Sequence, residues 1–288
     1  MNLGQQILNG LVLGHSYALI AIGWTVLLGV ARLVNFAHGQ MYMMGAFVAW
    51  MVMAKVGLPY PLALVTSVLA GVLIGFVMQE VMLGLTLRQD LVSIMIVTLG
   101  FGYVLHGVAA IAFGSTGQIL DTPFSTINVY WNDIWFTGQD LFIIAVTVAF
   151  FIALQLVLAK SRLGRLARMV AEDPKLAILA GVDVRRVYFG VFAFQGAAVA
   201  LAGAIVGPRT PILTSMGFEE VIITFFVVVL GGIGSVLGSY LAGLSLGLFT
   251  AFFGALVSPA YTTPAAFLVL IAVLVLRPGG LAAKPGGA

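Results

Sequence analysis

The sequence has no cysteine and very little charge. Without thiols there is no disulfide, no thiolate metal site and no cysteine nucleophile. Charged residues make up 8% of the 288 positions and hydrophobic residues 61%, whereas soluble domains carry about 25% charged and about 45–50% apolar residues. So few charges cannot cover a 30.3 kDa protein in water, which excludes a soluble globular enzyme. Disorder is excluded as well, because it requires low hydrophobicity and high charge. Lipid remains as the solvent, in keeping with a mean hydropathy of +1.14.

Several chemistries are missing too. No Gly-x-x-x-x-Gly-Lys-Ser/Thr run is present, so the chain cannot cradle ATP phosphates itself. There is no His-Glu-x-x-His or comparable cluster of metal ligands, and no cofactor is expected. An intramembrane serine hydrolase would need a Gly-x-Ser-Gly setting. Gly234-Ser235 comes nearest and lacks the following glycine. No basic stripe for nucleic acid exists outside one loop. No basic region precedes the first apolar run and no obvious cleavage site follows it, so that run reads as a retained span. Catalysis by this chain is therefore not expected, and transport is.

What the sequence does contain is uncharged runs: 1–31, 33–54, 56–79, 91–120, 141–159, 187–208 and 221–276. About 20 apolar residues in a helix cross a ~30 Å hydrocarbon layer. Six runs each suit one span. The last is cut by Gly231, Gly232, Gly234 and Gly238 and by Pro259 and Pro264, and reads as two or three. The expectation is a single all-α integral membrane domain over residues 1–288, a bundle of eight or nine helices, with nine preferred. A β-barrel would alternate apolar and polar residues along each strand, and the Ala-rich run 141–154 does not.

Basic residues in short loops favour the cytoplasmic side. With 160–186 inside and nine spans, the N-terminus lies outside and the C-terminus inside. Arg32, Arg88, Lys160, Arg162, Arg165, Arg168, Lys175, Arg185, Arg186, Arg277 and Lys284 are then cytoplasmic, and only Lys55 and Arg209 are external. Loop 121–140 is external, with Asp121, Asp133 and Asp140 and no basic residue.

The segment 160–186 holds seven of the thirteen basic residues. Asp173 followed by Pro174 is a helix start, Gly181 suits a helix end, and Asp183 can cap the next span. A short helix over 174–180 would present Leu176, Ile178 and Leu179 to something other than lipid. The loop either only sets topology or docks into a groove on a partner; two caps and exposed apolar side chains favour docking.

Two spans look interrupted. After Gly39 only about 15 residues remain before Lys55, or roughly 22 Å of helix, too short to cross. Residues 32–39 must therefore enter the membrane, carrying Asn35 and His38. The apolar run 221–230 likewise ends in Gly231-Gly232-Ile233-Gly234. The breaks fall in the second and seventh spans, five apart, so the two halves are oppositely oriented, and such paired interruptions point to a transport pathway. Plainer readings stand beside these. In these the glycines serve only close helix contact, His38 only locks the break, and Glu219-Glu220 is an exposed helix start. His15 and His106 are expected in packing hydrogen bonds. No span carries a carboxylate away from its ends, which weighs against an ion-coupled secondary transporter or channel.

Leu33-Val34-Asn35-Phe36-Ala37-His38-Gly39, with Met43 and Gly45-Ala46, resembles the signature of the branched-chain amino acid permease family of ABC importers, in particular the shorter of their two permeases. Arg168-Met169-Val170-Ala171-Glu172-Asp173, with Ala177, Leu179 and Gly181-Val182, is similar to its cytoplasmic coupling loop. Leu230-Gly231-Gly232-Ile233-Gly234-Ser235, with Gly238 and Gly243, is similar to its glycine-rich segment, and Leu276-Arg277-Pro278-Gly279-Gly280-Leu281 to its ending. Two departures are noted: Gln40 where an acidic or other polar residue is usual, and Pro174, which sharpens the coupling helix.

The resemblance implies an inverted-repeat, type II-like importer permease in a bacterial-type inner membrane. It implies a second homologous permease, two cytoplasmic ATP-binding subunits and an external solute-binding protein. Asn35, Phe36, His38, Gly39, Gln40, Gly231, Gly232 and Gly234 would belong to the translocation pathway. Arg168, Glu172, Asp173, Pro174, Leu176, Leu179 and Gly181 would couple to the ATPases. Relatives that carry urea, short amides or aromatic acids leave the solute open.

Overall fold

The computed structural model describes residues 2–88, 91–131, 133–277 and 279–280, without the side chains of 83–88. Pro278, Leu281, Lys284 and the side chain of Arg88 lie outside the described residues.

Helix α1 covers Leu3–Val30, α2 His38–Trp50 with a π-helical turn Met51–Lys55 after it, α3 Tyr60–Arg88 and α4 Leu91–Phe113. A hairpin of β1 (Asn128–Trp131) and β2 (Ile134–Thr137) precedes α5 (Gly138–Lys160). Then come α6 (Arg162–Glu172), α7 (Pro174–Leu179), α8 (Val184–Val206), α9 (Met216–Gly231), α10 (Val236–Leu256) and α11 (Thr262–Leu276). Seven of these are long and apolar enough to cross a membrane: α1, α3, α4, α5, α8, α10 and α11. Helices α2 and α9 have 13 and 16 residues, or ~20 and ~24 Å at 1.5 Å per residue. They are the second and seventh apolar helices in chain order, the two spans expected to be interrupted, but the second break lies before α9, at 210–215, and not where it was expected at Gly231–Gly234. The run 221–276 resolves into three helices.

The packing partners reveal the repeat. Helix α1 packs on α10 and α3 on α8; α2 packs on α8 and α9 on α1; α2 meets α3 and α4, and α9 meets α10 and α11. Exchanging each first-half helix for the one five spans later (α1 for α8, α2 for α9, α3 for α10, α4 for α11) returns the same set of pairs. An odd offset reverses direction across the membrane, so this is an inverted repeat. Helix α5 joins the halves.

Hydrocarbon supplies no hydrophobic drive between helices, so close backbone packing must hold them. A Cβ on Gly247 of α10 would run into the backbone of Gly14 on α1, and one on Gly196 of α8 into the carbonyl of Gly71 on α3. These two crossings are equivalent under the exchange. Helix α1 is the central element: 89% of its spanning window is buried, against 17% for α5 and α11, which face outward. His15 lies in this core, with Nδ1 2.7 Å from the Leu11 carbonyl and Nε2 accepting from the Tyr240 hydroxyl at 3.1 Å. His106 Nδ1 donates to the Thr214 carbonyl at 2.8 Å. Both histidines thus make the packing bonds expected of them.

The hairpin is the main departure from an all-helical chain among the described residues. The sequence alone predicts an external loop over 121–140. In fact Asn128 pairs with Thr137 and Trp131 with Ile134 around a turn in which Asp133 has φ 60°. Asp140 completes a capping box with Thr137 at the start of α5 and pairs with Arg209 at 3.1 Å. The hairpin, Asp140, Arg209 and Asn2, the cap of α1, whose amide donates to the Asp133 carbonyl at 2.8 Å, share one end of the bundle. Helices α6 and α7 lie at the other.

Candidate functional site

The first interruption is held by a closed set of hydrogen bonds. Helix α1 stops at Val30, Arg32 adopts φ 55°, and the chain runs without helix until His38 opens α2. Asn35 Oδ1 accepts from the Ala37 amide at 2.9 Å, and its Nδ2 donates to Gln195 Oε1 at 3.1 Å. The Asn35 carbonyl accepts from Trp24 Nε1 at 2.9 Å. His38 Nε2 donates to the Ile20 carbonyl at 2.9 Å, and its Nδ1 accepts from Gln195 Nε2 at 3.0 Å. The Phe36 amide donates to Thr98 Oγ1 at 3.2 Å. Asn35, His38 and Gln195 are all buried. Where water is absent, non-helical backbone survives only if its polar groups find partners, and here side chains supply them. Gln195 bridges Asn35 and His38 and was missed in the sequence. It is the most polar side chain in the apolar run 187–208, and that isolation was the available signal.

The second interruption, 210–215, is held more sparsely. Ile212 forms an antiparallel bridge with Gln118, and Thr214 accepts the His106 bond. Ser215 precedes α9 without capping it through its side chain. The starts of the two short helices then cross. Gly39 is the second residue of α2 and Gly217 the second of α9, and a Cβ on either would run into the other's carbonyl group. The crossing therefore lies on the pseudo-two-fold relation itself.

Next to Gly39, Gln40 is 1% exposed, and neither of its amide atoms has a hydrogen-bond partner. One turn beyond Gly217, Glu220 Oε2 is sealed from solvent and also unpartnered. This corrects two expectations. Only Glu219 is exposed, so Glu219-Glu220 is not an exposed helix start as a pair. A carboxylate does reach the interior, because α9 begins at the buried crossing with α2 and not at the membrane surface.

The glycine-rich segment lies elsewhere. Gly231 is ~21 Å along α9 from Gly217, and its nearest neighbours are the backbone atoms of Gly238 and Ser239. Gly232 and Gly234 have φ 94° and 81°, and a Cβ on Gly234 would lie 2.9 Å from Gly29 Cα. The segment turns the chain tightly from α9 into α10. It does not join residues 35–40. Ser235 Oγ accepts from the Gly238 amide at 3.0 Å as the cap of α10, which uses it structurally.

At the far end, residues 160–186 form two helices where the sequence reading saw one. Ser161 caps α6. Asp173 Oδ1 accepts from the amides of Lys175 and Leu176 at 2.7 and 3.2 Å, with Pro174 as the first residue of α7. Gly181 ends that turn at φ 81°, and Asp183 caps α8. Val170 and Ala177 face inward, whereas Leu163, Leu176, Ile178 and Leu179 are 71%, 63%, 57% and 84% exposed. Glu172 is exposed, and Arg168 donates to the Leu158 carbonyl. Arg32, at the start of the first interruption, donates to the Ala171 carbonyl in α6 at 2.9 Å. Beneath α6 lies a cleft of about 310 Å³, walled by Gly29, Gln155, Arg168 and Ser235 among others.

This architecture can be set against known proteins. No solved structure matches the chain significantly. The High-affinity branched-chain amino acid transport system permease protein LivH of Escherichia coli (strain K12) is 32% identical over 294 residues, covering 98% of this chain and 96% of that protein. The corresponding BraD permease protein of Pseudomonas aeruginosa is 31% identical over the same shares. The Autoinducer 2 import system permease protein LsrD of Salmonella typhi is 28% identical over 208 residues, 68% of this chain and 60% of that protein. The family described as "Branched-chain amino acid transport system / permease component" matches residues 6–276. With that match, and with its two broken helices related by an inverted repeat, the chain belongs to the branched-chain amino acid transport system permease family.

Proposed function

We propose that this chain is the membrane permease subunit of an ATP-driven importer that carries branched-chain amino acids. In this reading it works beside a second, homologous permease, with two cytoplasmic ATP-binding subunits seated on α6–α7 and a solute-binding protein at the hairpin end. The N-terminus is outside, the C-terminus is cytoplasmic, and the membrane is a bacterial-type inner membrane. The observation that carries the reading is the α6–α7 knob, which is capped at both ends and rich in arginine. It holds Leu176, Ile178 and Leu179 clear of the bundle. A loop that only biased topology would need charge but no ordered apolar face. The chain has no phosphate-binding loop, so fuel must be burned by another subunit.

Mechanically, ATP closes the partner subunits, α6–α7 move with them, and the two permeases rock between outward- and inward-facing states. Arg168, Glu172, Asp173, Pro174, Leu176, Leu179 and Gly181 shape the docking knob. Asn35, Phe36, His38, Gly39 and Gln40 lie at the broken helix beside the pathway, whereas Gly231, Gly232 and Gly234 serve as the tight turn from α9 into α10. A different solute is the second reading, favoured by the likeness to an autoinducer 2 permease protein.

The test replaces Leu176 and Leu179 with Asp. The variant should still insert, while the ATP-binding subunits should no longer copurify with it. Full copurification would overturn the docking assignment.

A further inference from the structure

Among the described residues, three side chains carry buried polar atoms without a hydrogen-bond partner: Gln40, Gln79 and, through Oε2 alone, the half-buried Glu220. Two of the three belong to the helices that cross at Gly39 and Gly217. Leaving such groups unpaired in a dry interior is costly, and apolar residues of the same size would remove the cost. Glycines on the two neighbouring helices let the Gln40 amide fit at the crossing. A Cβ on Gly217 would lie 2.9 Å from Gln40 Oε1, and one on Gly102 of α4 would lie 3.5 Å from Gln40 Cγ. Glycine thus stands on both neighbouring helices where the amide projects. Glu220 lies within electrostatic reach of the hydroxyls of Tyr17 on α1 and Tyr42 on α2. The Tyr17 hydroxyl bonds to Thr250 and lines a cavity of about 100 Å³ with Thr250, Thr262 and Thr263.

We infer that Glu220 and Gln40 form a polar station on the translocation pathway: the Glu220 carboxylate receives the ammonium group of a zwitterionic amino acid, and the Gln40 amide donates to its carboxylate. The inference rests on the importer reading above and adds the chemistry of recognition within the membrane. An apolar side chain on the solute needs no polar partner at this crossing. Its ammonium and carboxylate do, because neither can be left bare in a low-dielectric interior. The two orphaned groups supply one strong acceptor and one donor, the pair that a zwitterion requires.

The experiment uses native cells with chromosomal substitutions and measures the share of radiolabelled leucine uptake that is lost when the gene is deleted. Glu220→Gln keeps the shape and removes the charge, and that share should fall by about ten-fold. Gln40→Met, nearly isosteric and apolar, should also lower it several-fold, while the purified protein becomes at least as heat-stable as the wild type. Exposed Glu219→Gln should leave uptake unchanged. If deletion itself costs no leucine uptake, the branched-chain importer reading fails. If deletion does lower uptake and Glu220→Gln retains the full share, the polar station is overturned and the importer stands. Should immunoblots show Glu220→Gln missing from the membrane, Gln40→Met decides: full uptake by an abundant Gln40→Met protein overturns the inference.

Discussion

Residues 32–39 and 210–217 are counterparts, each leading from the end of one helix into a short helix that starts inside the bundle, yet their chemistry differs. In the first, Asn35, His38 and Gln195 satisfy one another and the free backbone, and Trp24 adds a further bond. In the second, apart from local backbone turns, only the His106 bond and the bridge to Gln118 tie the chain to its surroundings, and no buried polar side chain of the segment itself knits it together. Unpaired groups follow both segments, Gln40 after the first and Glu220 after the second. The repeat is symmetric in backbone and asymmetric in polar bookkeeping. A fully satisfied break is a rigid strut, whereas on the inference above the spare hydrogen-bonding capacity serves the solute. Asn35 and His38, the obvious polar residues in the sequence, are thus the lock, and the unused polarity lies at the crossing.

Substitutions can break or sharpen this contrast. The largest effect should come from the element both segments share. Gly39→Ala or Gly217→Ala forces a methyl group into the opposing backbone. Overpacking of this kind costs about 1–3 kcal/mol or more, and uptake should be abolished with a lower yield of assembled protein. Next comes Gln195→Leu, which strands His38 Nδ1 and leaves Asn35 Nδ2 only the weak acceptor sulfurs of Met41 and Met78. At about 1–3 kcal/mol for an orphaned group, the purified protein should melt distinctly earlier. His106→Phe removes the corresponding tie in the second segment and should cost only about 1 kcal/mol, visible as a small melting shift. Equal losses for Gln195→Leu and His106→Phe would erase the asymmetry. The smallest effect is expected outside both segments, at Glu80→Gln. The Arg185–Glu80 pair at 3.0 Å has side chains 57% and 40% exposed, so less than about 1 kcal/mol is at stake.

Much of the architecture could be read from charge and length alone. Uncharged runs of spanning length predicted the helices, and the short runs after Gly39 and over 221–230 became α2 and most of α9, although the break beside α9 precedes it and was not predicted there. The caps at Asp173 and Asp183 were legible because capping is local chemistry. What escaped depended on tertiary placement. Gln195 matters because α8 brings it to residues 35–38. Glu220 looked like a surface charge until α9 was found to begin at a buried crossing. Gly231, Gly232 and Gly234 looked like pathway residues, but their spacing also suits a tight turn, and only the neighbouring Gly29 and Ser239 separate the two readings. Helix α6 was hidden because its basic residues dominated the segment. The hairpin was overlooked although Val129-Tyr130-Trp131 and Ile134-Trp135-Phe136-Thr137 are strongly strand-prone.

The central claim is that an outside motor pulls on this bundle through α6–α7. It is tested most directly by leucine uptake into proteoliposomes that hold the complete importer with its solute-binding protein. The account predicts uptake only when ATP is supplied on the α6–α7 side, and none when Leu176 and Leu179 are both replaced by Asp. Uptake by this chain without ATP or ATP-binding subunits would contradict it.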